Sequence, residues 1–473
     1  MSADANKTNR VTAPWDLSLI RELPLDGWQV VDSALDTARA LADNYDARLN
    51  VAERIGILTR ARNLMQHRAE ELAVQAAREG GKPLIDSRVE VTRAINGFDI
   101  AINTLNTMTG ETIPMGLNTA SMGRTAWTMP EPIGVVAAIS AFNHPVNLIV
   151  HQAVPAVAVG CPVIVKPADG TPLSAYSVVE ILHEAGLPPE YCQVLLTDIP
   201  NAEKLATDAR VDYLSFIGSQ KVGWMLRSKL APGTRLALEH GGTAPVILGE
   251  DALAIEPQQL LAPLAKGAFY HSGQVCVSVQ RIYGCKGIAT SIAHELAEIA
   301  SGLKVGDPTL PDTDCGPLIR PGEVDRVEQW VQEAVEAGAE LLCGGQRLSD
   351  TCYAPTVLLD PPDDAKVTRE EIFGPVACVY SCDSVDKAIA RSNDSPYAFQ
   401  ASVFTKDIDV AMHCVRRLNA AAVMVNDHTA FRVDWMPFGG RKLSGLGVGG
   451  INYAMRDMCQ DKLVVVKEVR PMA

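Results

Sequence analysis

Between Val135 and Leu238 the chain repeats one pattern: a short apolar, β-branched run, a polar turn, and then a segment with helical spacing. Strands are expected at Val135–Ile139, Pro162–Val165, Gln193–Leu196, Tyr213–Ile217 and Arg235–Leu238. Helices are expected near Val146–Val159, Leu173–Glu184, Ala202–Thr207 and Lys221–Ser228. Strands joined by helices run parallel, because the crossover returns the chain to the same end of the sheet. A parallel sheet needs cover on both faces, so this stretch predicts an α/β layer with a ligand crevice at the strands' carboxyl ends.

The 473 residues exceed what one core of this kind uses, so a second domain is expected. A second α/β stretch spans 244–446, with helices around Leu260–Phe269, Thr290–Gly302 and Pro321–Gly338. Before the repeat, Val31 to Thr109 reads as helical. Ile55, Leu58, Ala61 and Met65 fall on one face, and Asn50 with Glu53 forms a capping-box pattern. Gly110 to Glu131 is punctuated by Pro and Gly and reads as a hairpin arm, while Leu463–Lys467 is a β-rich run needing a partner, from that arm or from another subunit.

A net charge of −14 argues against a nucleic-acid or anionic-membrane partner, both of which reward clustered Lys and Arg. The apolar region Ile133–Val165 is broken by Asn143, His144, Asn147, His151 and Gln152, so it reads as core and not as a membrane span. The eleven cysteines show no metal-ligand spacing, Cys378 and Cys382 being the nearest pair, and no metal is expected. Met1 to Arg10 lacks a signal-like apolar stretch, which leads to the expectation of a cytoplasmic protein with free thiols.

Four segments carry chemistry. Gly273-Gln274-Val275-Cys276 places a thiol on a loop between a helix and an expected strand Ser278–Tyr283, where a lowered pKa would make it a nucleophile. Leu238-Glu239-His240-Gly241-Gly242 ends a sheet strand in a carboxylate that points toward the crevice and can activate water. Phe142-Asn143-His144-Pro145 follows another strand, and an Asn amide there can donate to a developing oxyanion, an effect of about 3 kcal/mol. Phe216-Ile217-Gly218-Ser219 is a strand-to-helix turn whose glycine lets backbone approach a pyrophosphate. A G-x-G-x-x-G spacing at Gly445, Gly447 and Gly450 is set aside, since no clear strand precedes it. Each residue alone has an ordinary structural explanation: a buried thiol, a solvated strand-end Glu, a turn Asn.

Together, and with Val165-Lys166-Pro167-Ala168, Glu370-Glu371-Ile372-Phe373-Gly374-Pro375 and Pro437-Phe438-Gly439-Gly440, these segments resemble the aldehyde dehydrogenase superfamily in order and across nearly the whole chain. The likeness extends to its phosphonoacetaldehyde and succinate-semialdehyde dehydrogenase-like branch. It implies a Rossmann-like NAD-binding domain (1–110 and 132–243), a catalytic domain (244–446) and a small β oligomerisation arm (111–131 and 447–473), assembled as a homodimer or homotetramer. It further implies Cys276 as nucleophile, Glu239 as general base, and Asn143 with the Cys276 backbone N–H as oxyanion hole. Lys166 and Asp169 would meet the adenosine ribose, Gly218 and Ser219 the pyrophosphate, and Glu371 and Phe373 the nicotinamide end. Many members carry Glu at the position of Asp169. A carboxylate there favours NAD, with NADP also admitted.

The resemblance also places Arg93, His144 and Arg432 at the substrate, where cations suit a short anionic aldehyde carrying a phosphonate, sulfonate or carboxylate. Some members acting on phosphorylated aldehydes have Arg at the position of Val275, a difference that leans toward the sulfonate or carboxylate. Against these readings, Arg93 could be paired with Glu90 on a helix surface, and Arg432 could be an exposed loop charge. The rival activity is an acylating dehydrogenase that hands its thioester to another acceptor, or a non-phosphorylating enzyme for lactaldehyde or glyceraldehyde 3-phosphate.

Overall fold

The computed structural model describes residues 7–469, so residues 1–6 and 470–473, the outer ends of the expected first domain and of the arm, lie outside the described residues. The alternating stretch forms a sheet of six strands. Their order across the sheet is Gly445–Leu446, Arg235–Glu239, Tyr213–Ile217, Val136–Ile139, Val163–Lys166 and Cys192–Val194. All neighbours are parallel except the first pair, where Gly445 faces Glu239 antiparallel. From Val136–Ile139 the chain winds first toward 163–166 and 192–194, then crosses to 213–217 on the other side. The loops that leave these central strands, at 140–146 and at 218–219, therefore face each other across the switch of direction, where sheets of this kind bind ligands.

The helix Asn147–Val159 is buried along its whole length and fills one face of this sheet. Its first turn has no side-chain cap of its own. The carboxylate of Glu90, from the helix Leu84–Thr107, instead accepts the N–H of Val146 at 2.8 Å and of Asn147 at 2.9 Å. Residues of the helices at 51–67, 69–80 and 84–107 pack against it in one continuous core, as the helical pattern predicts.

The second sheet has seven strands, ordered 340–343, 356–359, 376–382, 281–285, 245–248, 400–404 and 422–425, and is parallel apart from its first strand. The strand expected at Ser278–Tyr283 begins instead at Arg281. Ser278 closes a turn onto the Val275 carbonyl and Val279 donates to Gly267, so the segment's first backbone groups are taken locally. The arm is a three-stranded sheet in which Cys459–Lys467 pairs antiparallel with Arg124–Pro132, and that strand pairs with Thr112–Ile113. The C-terminal run thus finds its partner in the same chain.

Two further features depart from expectation. An N-terminal hairpin, Thr8–Thr12 with Leu19–Pro24, went unread in the sequence, and its Asn9 side chain donates to the Asp169 carbonyl at 2.8 Å. The boundary expected at 446/447 also does not follow the packing. Gly445–Leu446 joins the first sheet, and Ile451, Met455 and Met458 sit in the core under the helix Asn147–Val159. Among the described residues no helix is long and apolar enough to cross a membrane, and no group of three or more His, Cys, Asp or Glu is arranged to hold a metal ion.

Candidate active site

A cleft of about 740 Å³ runs between the carboxyl edge of the first sheet and the loops of the second domain, and all twelve residues singled out in the sequence line it. Cys276 stands on the loop that follows the helix Pro257–Phe269. The turn into that loop is sharp: His271 and Ser272 take left-handed φ of 48° and 52°, and Gly273 follows at 71°. Gly273 has no alternative, because a Cβ there would lie 2.0 Å from the Gly374 carbonyl. Gln274 then ties the loop down, its Nε2 donating to Pro317 O at 3.2 Å and its Oε1 accepting from Ile319 N at 3.0 Å.

Asn143 reaches this loop from the first domain. Its Nδ2 donates to the Gln274 carbonyl at 2.9 Å, which leaves the second hydrogen of the same nitrogen for another acceptor near Cys276. Glu239 ends its strand in the same cleft, and a Cβ at Gly449 would lie 2.2 Å from its carboxylate, so the chain packs closely behind it. Burial pushes the Glu239 carboxyl up, with Arg432 opposing.

The thiol differs from its expectation. Burial pushes Cys276 up to about 12, and Glu371 and Glu239 add to the effect while Arg432 opposes it. A thiolate would be a charge buried in a cleft that already holds the carboxyls of Glu239 and Glu371. Burial thus favours the neutral thiol of Cys276, so a role as nucleophile would need a base to take its proton. Glu239 is a carboxyl that the same cleft offers as a base.

At the other end, Lys166 Nζ and Asp169 Oδ1 form a pair at 2.5 Å beside the loop that follows their strand. Gly218 donates to the Glu239 carbonyl at 3.1 Å, and a Cβ there would meet the Phe216 ring at 2.9 Å. Ser219 is the N-cap of the helix Gln220–Arg227 and makes no capping bond, so the first N–H groups of that helix have no side-chain acceptor. Glu371 accepts from Gly242 N at 3.2 Å and is pushed up to about 8 by burial; a Cβ at Gly241 would fall 1.6 Å from its carboxylate. Phe373, at φ 47°, meets Phe142 edge-on at 5.9 Å. An uncapped helix end, a Lys–Asp pair and a carboxyl with an aromatic ring at the far side fit a nicotinamide dinucleotide laid along the cleft.

Arg93 does not pair with Glu90. Its guanidinium binds both oxygens of Asp434, at 3.0 and 2.7 Å, while Glu90 is taken by the buried Lys82. Arg432 is not exposed either: its side chain is 10% accessible and lies over the Phe438 ring, 3.5 Å from the centroid. His144 sits buried with Nε2 3.3 Å from the Tyr270 hydroxyl, and burial with nearby cations holds it well below its usual pKa, so it faces the cleft as a neutral imidazole. Sequence reasoning missed Asp434 and passed over His151 as a mere interruption of an apolar run. A His inside a fully buried helix needs a polar partner, and that was the available signal.

Comparison with known proteins gives a consistent result. The model of the aldehyde dehydrogenase family matches residues 1–464. A 3-sulfolactaldehyde dehydrogenase of Priestia aryabhattai is 40% identical over 435 residues, which cover 91% of this chain and 90% of that protein. The crystal structure of aldehyde dehydrogenase 21 from Physcomitrella patens in complex with the reaction product succinate superposes with a TM-score of 0.94 at 34% identity, covering 100% of this chain and 97% of that one. Glyceraldehyde-3-phosphate dehydrogenase of Methanocaldococcus jannaschii, complexed with NADP, gives 0.91 at 32% identity, covering 98% and 100%.

Proposed function

Since the chain belongs to the aldehyde dehydrogenase family and is an NAD(P)-dependent aldehyde dehydrogenase, we propose that its substrate is a short anionic aldehyde, a sulfonated or carboxylated one before a phosphonated one, oxidised to the carboxylic acid. One observation carries this reading. Arg432 is a buried cation on the cleft wall that also holds Cys276 and Glu239, and its Nε has no hydrogen-bond acceptor. The carboxylate nearest it, Asp434, is 3.9 Å away and already bound by Arg93. Glu239 is the carboxyl that most offsets the Arg432 charge, but a desolvated guanidinium with no hydrogen-bonded counter-ion is costly until an anion arrives. The names of similar proteins agree in kind: one acts on a sulfonated aldehyde and another holds a dicarboxylate product.

In this mechanism Cys276 loses its proton to Glu239 and attacks the aldehyde carbon. The Asn143 amide and the Cys276 backbone N–H donate to the oxygen as it gains charge. Lys166, Asp169, Gly218, Ser219, Glu371 and Phe373 hold NAD or NADP, which when bound supplies the acceptor for the hydride. The carbon is then a thioester on Cys276. Glu239, deprotonated again, takes a proton from water, and the hydroxide so formed releases the acid and frees the thiol. Glu239 facing the thioester supports hydrolysis over transfer to another acceptor.

The enzyme is proposed to work in the cytoplasm as a homodimer or homotetramer. Leu463, Val465 and Val466 leave apolar surface on the outer strand of the arm, which suits burial against a second copy.

The test is a panel of sulfonated, carboxylated and neutral aldehydes of equal length with wild type and Arg432→Ala. The expected result is a loss of tenfold or more in kcat/KM for the anionic aldehydes, roughly what a charge-assisted contact contributes, with neutral ones little changed. Equal losses across the panel would remove the anion reading.

A further inference from the structure

Behind Arg432 lies a buried polar cluster in which Arg93 and Asn147 reach the cleft wall while Asp434 and His151 stand behind it. Its centre is Asp434, whose side chain is 2% exposed. Asp434 Oδ1 takes His151 Nε2 at 2.7 Å and Asn147 Nδ2 at 3.3 Å, in addition to the Arg93 fork. On the opposite edge of the same imidazole, Nδ1 is 3.3 Å from Nη2 of Arg432. These partners leave one consistent arrangement. A carboxylate can only accept, so Nε2 carries the proton and donates to Asp434, and Nδ1 keeps its lone pair for the guanidinium. The same geometry sets the charge balance. Asp434 is matched by Arg93, and a neutral His151 adds nothing, so Arg432 has no carboxylate of its own within the cluster; the carboxyl that most offsets its charge is Glu239, on the cleft.

We propose that His151 is a positioning residue for substrate selection: held by Asp434 in its Nε2–H form, it grips one edge of Arg432 and turns the remaining donors toward the substrate's anionic group. His151 touches neither substrate nor cofactor, since its ring lies outside the cleft lining. It acts on Arg432 alone, and thereby on how tightly an anionic aldehyde is held. The inference rests on the anionic-substrate reading above.

The test compares His151→Gln, His151→Asn and His151→Phe, each purified with nicotinamide cofactor present and checked for cofactor binding. Gln can still donate to Asp434 but offers no acceptor where Nδ1 stood, whereas Asn places an oxygen near the Nδ1 position. His151→Gln and His151→Phe should raise KM for a carboxylated or sulfonated aldehyde by roughly tenfold, with kcat and the constants for butanal within about twofold. His151→Asn should recover most of the loss. In an Arg432→Ala background, His151→Gln should cause no further change in anion selectivity. His151→Gln matching wild type on the anion, or losing as much on butanal as on the anion, overturns the proposal. If His151→Phe fails to fold, the Gln and Asn pair carries the same comparison. The two readings fail separately: a wild type indifferent to substrate charge sinks the substrate reading, while a preference that survives in His151→Gln sinks the positioning role alone.

Discussion

The side-chain amide of Asn143 donates to the backbone carbonyl of Gln274 at 2.9 Å, bridging a loop of the first sheet to the loop that carries Cys276 two residues later. One hydrogen of this amide fixes the loop, and in the proposed mechanism the other is offered to the reacting oxygen. Asn143→Ala should therefore lower kcat by about a hundredfold, as loss of one oxyanion donor commonly does. It should also leave a buried carbonyl unsatisfied, costing about 1–3 kcal/mol of stability. Single-turnover kinetics and urea denaturation separate the two effects. A stability loss with unchanged kcat would leave Asn143 as a loop tie alone.

In the proposed mechanism Glu239 has to lose a proton before it can act, and burial holds its carboxyl above the usual range. Activity should therefore rise with pH along a limb that lies above roughly pH 4.3, where an ordinary Glu would place it. Glu239→Gln removes the base. The expected outcome is a turnover lower by about 10²–10⁴, with both the proton transfer from Cys276 and the hydrolysis of the thioester slowed, so that single-turnover NADH formation falls together with the steady-state rate. Wild-type rates in both measurements would take the role of base away from Glu239.

Arg93 and Asp434 form a two-point ion pair in which the carboxylate is almost wholly buried. Removing the cation leaves that carboxylate under-neutralised, so Arg93→Ala should cost about 3–5 kcal/mol of stability at pH 7. The sign of its pH dependence follows from Asp434. Burial raises this carboxyl, but the His151 and Arg93 hydrogen bonds and charges outweigh it and hold the group well below the usual range. Stability from a depressed carboxyl is full above its unfolded pKa of about 3.9 and is lost as pH falls toward the folded value. The gap between wild type and Arg93→Ala should thus narrow in acid, as denaturation at pH 7 and pH 3 would show. A variant as stable as wild type but selectively poor on anionic aldehydes would make Arg93 a substrate anchor instead.

What could be read from the chain alone divides along sequence distance. The strand ends that carry Asn143, Glu239 and Ser219 are contiguous motifs, because each functional side chain sits one turn beyond a strand whose apolar run announces it. Cys276 was legible as a contiguous loop motif after a helix, though its raised pKa was not: burial, and then the charges of Glu371 and Glu239, come from parts of the chain distant in sequence. The Arg93–Asp434 and His151–Asp434 pairs join residues 341 and 283 positions apart, so no local spacing could announce them. The reading of Arg93 as a partner for Glu90 failed because Glu90 is spent on Lys82 and on the N-terminus of a neighbouring helix. The arm boundary at 446/447 failed because Gly445–Leu446 pairs with Glu239 and Leu238, an antiparallel contact made by two residues that no propensity marks.

Asp169 offers a test of cofactor choice that does not touch the chemistry. Its carboxylate lies 2.5 Å from Lys166 Nζ and is about half exposed, at the end of the cleft away from Cys276. The fold admits either dinucleotide, since a structural neighbour holds NADP, so the side chains at this end set the preference. A 2'-phosphate placed near Asp169 would meet a like charge, and the Lys166 ammonium that could attract it is already engaged. Asp169→Ser removes the repulsion and releases Lys166, so the ratio of kcat/KM for NADP over NAD should rise by roughly tenfold, the change that a charge contact of this exposure can produce. Because Asp169 is open to solvent, the gain should shrink as salt is raised from low ionic strength to physiological levels, where the screening length falls to about 8 Å. A ratio that does not move, or a gain indifferent to salt, would place the discrimination elsewhere in the cleft.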